Sequence, residues 1–247
     1  MLDLSLFRSR QFSATNAVTF VLYGALGMAL FLLGLVLQEA MGYSPLEAGA
    51  ALLPITLVML AFSARAGALA RRIGPRIPMA LGPSVMAAGL LLTTRIEPGR
   101  SYAGAVLPAL LVFSGGLTLT VAPLTATALA SAPERRAGMA SGVNNAVART
   151  GQLLAVALIP LIGGFPVGAD VDAATLVDGF HRVGLVAAVA ALLAGATSWT
   201  FIRTEALEAS DDGVPGEEVH ERGRPTYHCG PDGPPLAPDE TPAALED

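Results

Sequence analysis

The sequence predicts an all-α membrane protein with six transmembrane helices and a polar tail. Of its 247 residues, 53% are hydrophobic and only 14% are charged, whereas soluble domains carry about 25% charged residues. Charged side chains separate six apolar segments, each close to the length of about 20 residues that crosses a bilayer as a helix. We therefore expect lipid to surround the body of the chain.

The first residues are predicted to precede the bundle rather than to form a signal peptide. Asp3 comes early, and Arg8 and Arg10 follow the apolar residues instead of preceding them. Residues 1–12 are interpreted as a lead-in that lies along the membrane interface; a frayed start is the alternative. The six predicted spans then follow at residues 13–38, 46–64, 77–94, 103–131, 137–161 and 183–202.

After the last span the composition changes. Residues 203–247 are rich in proline, glycine and acidic residues, which cannot bury a core, so a disordered acidic tail is predicted. His220, His228 and Cys229 have no zinc-ligand spacing, and the chain shows no phosphate loop or dinucleotide fingerprint. No metal, cofactor or nucleic-acid partner is predicted, since no basic stripe with stacking aromatics is present either.

Arginine placement predicts the orientation. One set of loops and ends holds most of the arginines of the chain, and the other set holds Arg95, Arg100 and Arg182. The positive-inside rule then places both termini in the cytoplasm. Because every basic residue is arginine, which is typical of a GC-rich bacterial genome, a multi-pass protein of the bacterial cytoplasmic membrane is expected. The stretch "FPVGADVDAATLVDGFHR" is predicted to be the longest outer loop.

The turn between the second and third spans carries a motif. In "GALARRIGPRIP", glycine and proline let two helices reverse direction. The turn resembles the signature loop of the major facilitator superfamily, with an arginine at the position of the acid and a proline at one basic position. The matching residues are Gly67, Leu69, Arg72, Gly74 and Arg76.

Further stretches extend the resemblance over about residues 2–203. "LDLSLFRSRQFSATN", "LQEAMGYSPLEAGAALLP" and "TVAPLTATALASAPERRAGMASGVNNAVARTG" are similar to the carboxyl-terminal half of fourteen-helix drug:proton antiporters. The resemblance implies half of a major-facilitator fold, arranged as a 3+3 inverted repeat. It also implies efflux of drug-like or apolar cationic molecules by proton antiport, together with an amino-terminal half or a second copy as partner.

Arg149 stands at the middle of the fifth predicted span, where a charge costs about 2.5–3.5 kcal/mol on insertion scales. At helical spacing, Ser141, Asn145 and Gln152 share its face. In one interpretation Gly138 and Gly142 make a helix contact, the amides bond across helices and Arg149 caps carbonyl groups. In the other, this face lines the transport pathway.

The resemblance implies that the first and fourth spans also line a cavity. Candidates are Asn16 and Tyr23 in the first span, and Thr118 and Thr125 in the fourth, on either side of the helix-kinking Pro123. Packing beside glycine is the alternative for Tyr23, and bonding within its own helix is the alternative for each threonine.

Two other functions remain open. The chain could be a truncated or vestigial membrane protein without transport activity. A rhomboid-like intramembrane protease is a remote alternative, because "VFSGG" lacks the required glycine before Ser114 and His181 precedes the sixth span. We therefore do not predict an enzyme.

Overall fold

Regular structure is helical throughout the residues that the computed structural model of this protein describes, 4–131, 136–166 and 171–202. The predicted tail, residues 203–247, lies outside this part of the chain. Short 3-10 turns at Leu4–Arg8 and Thr93–Arg95 and a π-helical turn at Tyr102–Val106 accompany eight α-helices. The α-helices are α1 (Arg10–Glu39), α2 (Pro45–Ala51), α3 (Leu53–Ile73), α4 (Arg76–Leu92), α5 (Leu107–Ala130), α6 (Ala137–Ala157), α7 (Ile159–Gly163) and α8 (Ala173–Phe201).

Five helical stretches in the described residues are long and apolar enough to cross a membrane. They are Arg10–Glu39, Pro45–Ile73, Arg76–Arg95, Tyr102–Ala130 and Ala173–Phe201. Helix α6, which falls on the fifth predicted span, is not among them. Its serine, asparagine, arginine and glutamine side chains lower its mean hydropathy.

The second span is longer than predicted and is broken near its amino-terminal end. Ser44 begins α2 with a capping box, in which its backbone N–H donates to Glu47 at 2.8 Å and its hydroxyl accepts from the Glu47 backbone. The helix breaks at Leu52. The hydroxyl of Tyr102 donates to the carbonyl of Ala51 at 2.9 Å, so the break keeps this carbonyl satisfied.

The sixth span begins at Ala173 instead of residue 183, and the predicted outer loop is therefore shorter. Asp172 caps the helix by accepting from the Thr175 backbone N–H at 2.9 Å. Hydrogen bonding by the Thr175 side chain, together with this backbone bond, holds the pKa of Asp172 below its ordinary value. The first turns of α8 are amphipathic, with Phe180 buried and Asp178 exposed. Because the charged residues of these turns resemble a loop in sequence, the start of the helix was not predicted.

Helices α1 and α5 are the two helices around which the others pack. Helix α1 packs against α6 and α8, helix α5 packs against α3 and α4, and α4 also packs against α8. Close approach depends on glycine: a Cβ atom added to Gly116 of α5 would lie 2.2 Å from the backbone nitrogen of Met86 in α4. Such small-residue crossings are the usual means by which membrane helices associate.

The lead-in contacts the bundle. Leu6 and Phe12 are buried in one cluster with Ala140 and Val143 of α6, whereas Phe7 is exposed. Leu6 thus has protein to pack against, and the interfacial position of residues 1–12 stays a prediction.

Candidate functional site

The candidate site is built on α6, whose sequence places small residues on one side and polar residues at the edge of that side. Ala140, Ala148, Gly151 and Ala155 are buried. A Cβ atom added to Gly151 would lie 2.5 Å from the backbone oxygen of Phe20 in α1. Only glycine permits this approach, so the small face of α6 holds the two helices in backbone contact.

A hydrogen-bonded cluster lies at one end of this contact. The amide Nδ2 of Asn144 donates to Thr19 Oγ1 at 2.8 Å and to Asn16 Oδ1 at 3.3 Å. The Nδ2 of Asn16 in turn donates to the carbonyl of Phe12 at 2.9 Å. Asn16 is 3% exposed and Asn144 is 8% exposed. The cluster joins α1 to α6 and buries the Asn16 side chain between these two helices.

The sequence reasoning did not select Asn144 or Thr19 as bonding residues. Two features of the sequence could have indicated this bond. Asn16 and Thr19 are three residues apart and therefore lie on one face of α1, and α6 carries two adjacent asparagines. Asn144 and Asn145 are neighbours in sequence but lie 100° apart around the helix, so only one of them can face α1. The structure places Asn144 there.

The predicted polar face lies at the rim of the α1 contact. Ser141 and Gln152 are half-buried, whereas Asn145 and Arg149 are exposed. Gln152 packs over Gly27 of α1, whose added Cβ atom would lie 2.4 Å from Gln152 Cγ. Arg149 makes no hydrogen bond or ion pair with any residue that the structure describes. The rim thus presents an amide and a guanidinium group outward.

One interpretation of the α6 sequence predicted a helix contact at Gly138 and Gly142, but these glycines contact no other helix in the described residues. A Cβ atom added to Gly138 or to Gly142 would have no atom within 4 Å. The cross-helix bonding that this interpretation assigned to the amides belongs to Asn144. Gly138 and Gly142 instead lie on an open surface along one edge of α6.

The remaining candidates are divided between core and surface. Tyr23 is half-buried, and Thr125 is exposed. Thr118 is buried and donates to the Ser114 carbonyl at 2.7 Å, the bond within its own helix that was its alternative. Arg149, Tyr23 and Thr125 are therefore not brought into one bonded cluster.

The signature loop is ordered by its glycine and its last arginine. Gly74 ends α3 with φ 78°, a backbone conformation that favours glycine. Arg76 donates through Nε to the carbonyl of Trp199 in α8 at 2.7 Å, and its guanidinium carbon lies 4.5 Å from the centre of the indole ring. Leu69 and Arg72 are exposed, and Gly67 is half-buried. The loop thus joins the third span to the end of the sixth.

The serine and histidine of the protease alternative, Ser114 and His181, each bond a backbone carbonyl. The Ser114 hydroxyl donates to the carbonyl of Leu111 at 3.2 Å, and the His181 ring bonds the carbonyl of Ile96 at 3.1 Å. Among the described residues, no group of three or more histidine, cysteine or acidic side chains could hold a metal ion.

Comparisons with known proteins give one family. The profile of the Major Facilitator Superfamily matches residues 2–156. Among similar proteins, the multidrug resistance protein Stp of Mycobacterium tuberculosis is 32% identical over 159 residues, which cover 64% of this chain and 29% of that protein.

Two further relatives are also named for resistance to antibiotics. The lincomycin resistance protein of Streptomyces lincolnensis is 32% identical over 195 residues, covering 78% of this chain and 40% of the relative. The quinolone resistance protein NorB of Staphylococcus aureus is 32% identical over 161 residues, covering 64% and 34%. The chain thus matches less than half the length of each of these relatives.

Proposed function

The chain belongs to the major facilitator superfamily of membrane transporters, and from this premise we propose that it works as a six-helix half of an efflux protein. Its relatives are named for resistance to drugs or antibiotics, which supports export of drug-like or apolar cationic molecules. Proton antiport is part of the proposal, as it is in the antiporters that the sequence resembles. A second half, joined to this chain or separate, or a second copy, completes the transporter.

We infer that α6 is a sixth membrane crossing despite its polar residues. Asn144 lies beside Thr19, Gly151 lies beside Phe20, and Gln152 lies beside Gly27, so α6 runs alongside α1 in the same direction. Helix α1 is one of the five apolar spans. A helix in backbone contact with a spanning helix over several turns shares its depth in the bilayer. This pairing is the observation that carries the proposal.

The packing of the helices supports the 3+3 inverted repeat. Taking α2 with α3 and α6 with α7 as single spans, the first three spans can be exchanged with the last three. The exchange converts the α1–α6 contact into the α5–α3 contact, and the α1–α8 contact into the α5–α4 contact. The α4–α8 contact is converted into itself. Such an exchange is expected of two repeats related by a pseudo-twofold axis.

We propose that Arg149 lies at the seam between this half and its partner. An arginine at the centre of a membrane helix requires water or protein around it, and Arg149 is exposed without a bonding partner in the described residues. Asn145 is exposed on the same rim, next to the open surface of Gly138 and Gly142. A helix of the partner half can approach closely at the glycines and leave the guanidinium facing the pathway.

The orientation with both termini in the cytoplasm is part of this proposal. It puts Arg71, Arg72 and Arg76 inside, near the turn between α3 and α4, puts Arg95 outside and puts Arg182 in the outer part of α8. The excess of inside arginines follows the positive-inside rule.

The test is ethidium flux driven by an imposed proton gradient in proteoliposomes. The 247-residue chain is reconstituted alone and with the part of the Streptomyces lincolnensis relative that lies outside the match, supplied as a second polypeptide. We expect flux only when both are present, and expect Arg149→Gln to reduce it at least tenfold. Flux by the chain alone that the second polypeptide does not change would contradict completion by a second half and would leave a second copy of the chain as the partner. A chain that supports no flux in either arrangement corresponds to the vestigial alternative.

A further inference from the structure

An apolar groove lies between α3 and α4, away from the polar rim of α6. Its volume is about 470 Å³, and α5 forms its floor. Apolar side chains from all three helices line it, among them Phe62, Leu69, Val85 and Leu111. Each of these four is exposed, so the groove opens to the surroundings of the bundle. All three helices are among the five apolar spans, so these surroundings are expected to be the bilayer.

Arg65 is the one charged side chain that lines this groove. Its Nη1 donates to the carbonyl of Ala61 at 3.0 Å, and its guanidinium carbon lies 5.6 Å from the centre of the Phe62 ring. Within the described residues it has no acidic partner. Since a guanidinium group carries several further N–H donors, most of its donors remain available to an anion.

The groove face of α3 differs from the face that suits another helix. At about 3.6 residues per turn, Val58, Phe62, Arg65 and Leu69 fall on one face of α3. Thr56, Ser63 and Gly67 fall on a different face, well away around the helix axis. Small and hydroxyl-bearing residues are typical of contacts between membrane helices, whereas bulky apolar side chains beside an arginine are not. The partner half is therefore not the expected occupant of the groove.

We propose that the groove binds one acyl chain of an anionic glycerophospholipid, with the lipid phosphate bound by Arg65. An arginine at the mouth of a groove repels apolar cations, so its charge complements an anion with a long apolar chain. Guanidinium groups bind phosphate oxygens in pairs. Arg65 lies less than two turns before Arg71 and Arg72, and its long side chain can reach the headgroup level from there. Basic pockets between transmembrane helices on the cytoplasmic side bind phospholipid headgroups in this way.

The experiment places a tryptophan in the groove and measures its quenching by brominated acyl chains. Trp199 is the single tryptophan and is replaced by phenylalanine throughout. Phe62→Trp then reports on the groove, and Leu60→Trp reports on an exposed position of α3 outside it. The full chain is reconstituted in mixed vesicles of phosphatidylglycerol and phosphatidylcholine in which one lipid or the other is brominated.

We expect phosphatidylglycerol to be enriched about fivefold over phosphatidylcholine at Phe62→Trp, as one arginine near the headgroups would give, and not at Leu60→Trp. Adding Arg65→Gln should abolish the enrichment, whereas Arg71→Gln, which removes the same charge outside the groove, should preserve it. Val85→Phe, which fills the groove, should lower the enrichment at Phe62→Trp, whereas Leu81→Phe on the exposed surface of α4 should preserve it.

Three results would overturn the proposal. Equal quenching by both lipids would show that Arg65 selects no headgroup. Loss of enrichment in Arg71→Gln as large as that in Arg65→Gln would show a general surface attraction. Displacement of the lipid quenching by ethidium, undiminished by Arg65→Gln, would assign the groove to a small-molecule substrate. Because the readout is lipid contact in the chain alone, it does not depend on the outcome of the flux measurement.

Discussion

Asn144 in α6 donates a hydrogen bond to the hydroxyl of Thr19 in α1 at 2.8 Å, across a helix contact in which both side chains are buried. This bond fixes the register between α6, which is not among the five apolar spans of the described residues, and α1, which is one of them. Because the register places α6 along α1, it supports the proposal that α6 is a sixth crossing.

Asn144→Ala should destabilise the protein, because it removes both bonds to α1. Hydrogen bonds between membrane helices contribute about 0.6 kcal/mol on average and up to about 1.7 kcal/mol, so a loss in this range is expected. Asn145→Ala is the matched control, since Asn145 is exposed and should change stability little. Unfolding of the detergent-solubilised chain by sodium dodecyl sulfate measures both. Equal losses in the two variants would refute the assignment of Asn144 to the contact.

Gly151→Ala should separate α1 from α6, since its Cβ atom would meet the Phe20 carbonyl oxygen at 2.5 Å. Overpacking of this kind costs about 1–3 kcal/mol. Gly142→Ala should be neutral or stabilising, because no described atom beyond its own helix backbone lies within 4 Å of the added carbon and alanine favours the helix by up to about 1 kcal/mol. The same unfolding assay compares the pair, and a Gly151→Ala variant as stable as Gly142→Ala would contradict the close contact.

Arg76 and Trp199 should be energetically coupled. A cation–π contact at an exposed site contributes about 0.5–1 kcal/mol, and Arg76 also bonds the Trp199 carbonyl. A double-mutant cycle with Arg76→Gln and Trp199→Leu should therefore be non-additive by that amount. Arg76→Gln should also shift the fluorescence of Trp199, the single tryptophan, whereas Arg72→Gln should not. Additive effects and an unchanged emission spectrum would mean that the contact is not formed in the membrane.

Arg149→Leu should have opposite effects on insertion and on transport. Removing a central arginine favours insertion of α6 by about 2.5–3.5 kcal/mol, so a glycosylation reporter placed after α6 should show more complete insertion. Flux with the partner polypeptide should nevertheless fall, because the seam loses its only cation on this helix. Flux at the original level would leave Arg149 without a role in the pathway.

Much of the fold follows from charge spacing. The first span was predicted at 13–38 and α1 is Arg10–Glu39, because apolar residues fill it and charges mark its ends. Charge spacing misplaces a helix end where the helix carries charges on one exposed side. Helix α8 begins before its charged residues, and α3 continues past Arg65 to Ile73, because arginine side chains on an exposed face do not interrupt a helix.

The site was less accessible to sequence reasoning. Helical periodicity groups Ser141, Asn145, Arg149 and Gln152 on one arc, but it does not show which side of α6 meets α1. The structure places the contact along Asn144 and Gly151, beside that arc, because glycine at Gly151 allows the shortest approach. Burial of Asn16 likewise depends on a residue 128 positions away, and no local pattern in α1 contains that information.

The most direct test of six crossings is the side of the membrane from which the two ends of α6 and α7 can be labelled. In a Cys229→Ser background, which removes the single cysteine, Ser131→Cys and Pro166→Cys are exposed to a membrane-impermeant maleimide in intact cells, with Ser101→Cys as an outer control. If α6 crosses the membrane, Pro166→Cys and Ser101→Cys are labelled from outside and Ser131→Cys only after the cells are opened. Labelling of Ser131→Cys and Pro166→Cys from the same side would contradict the account.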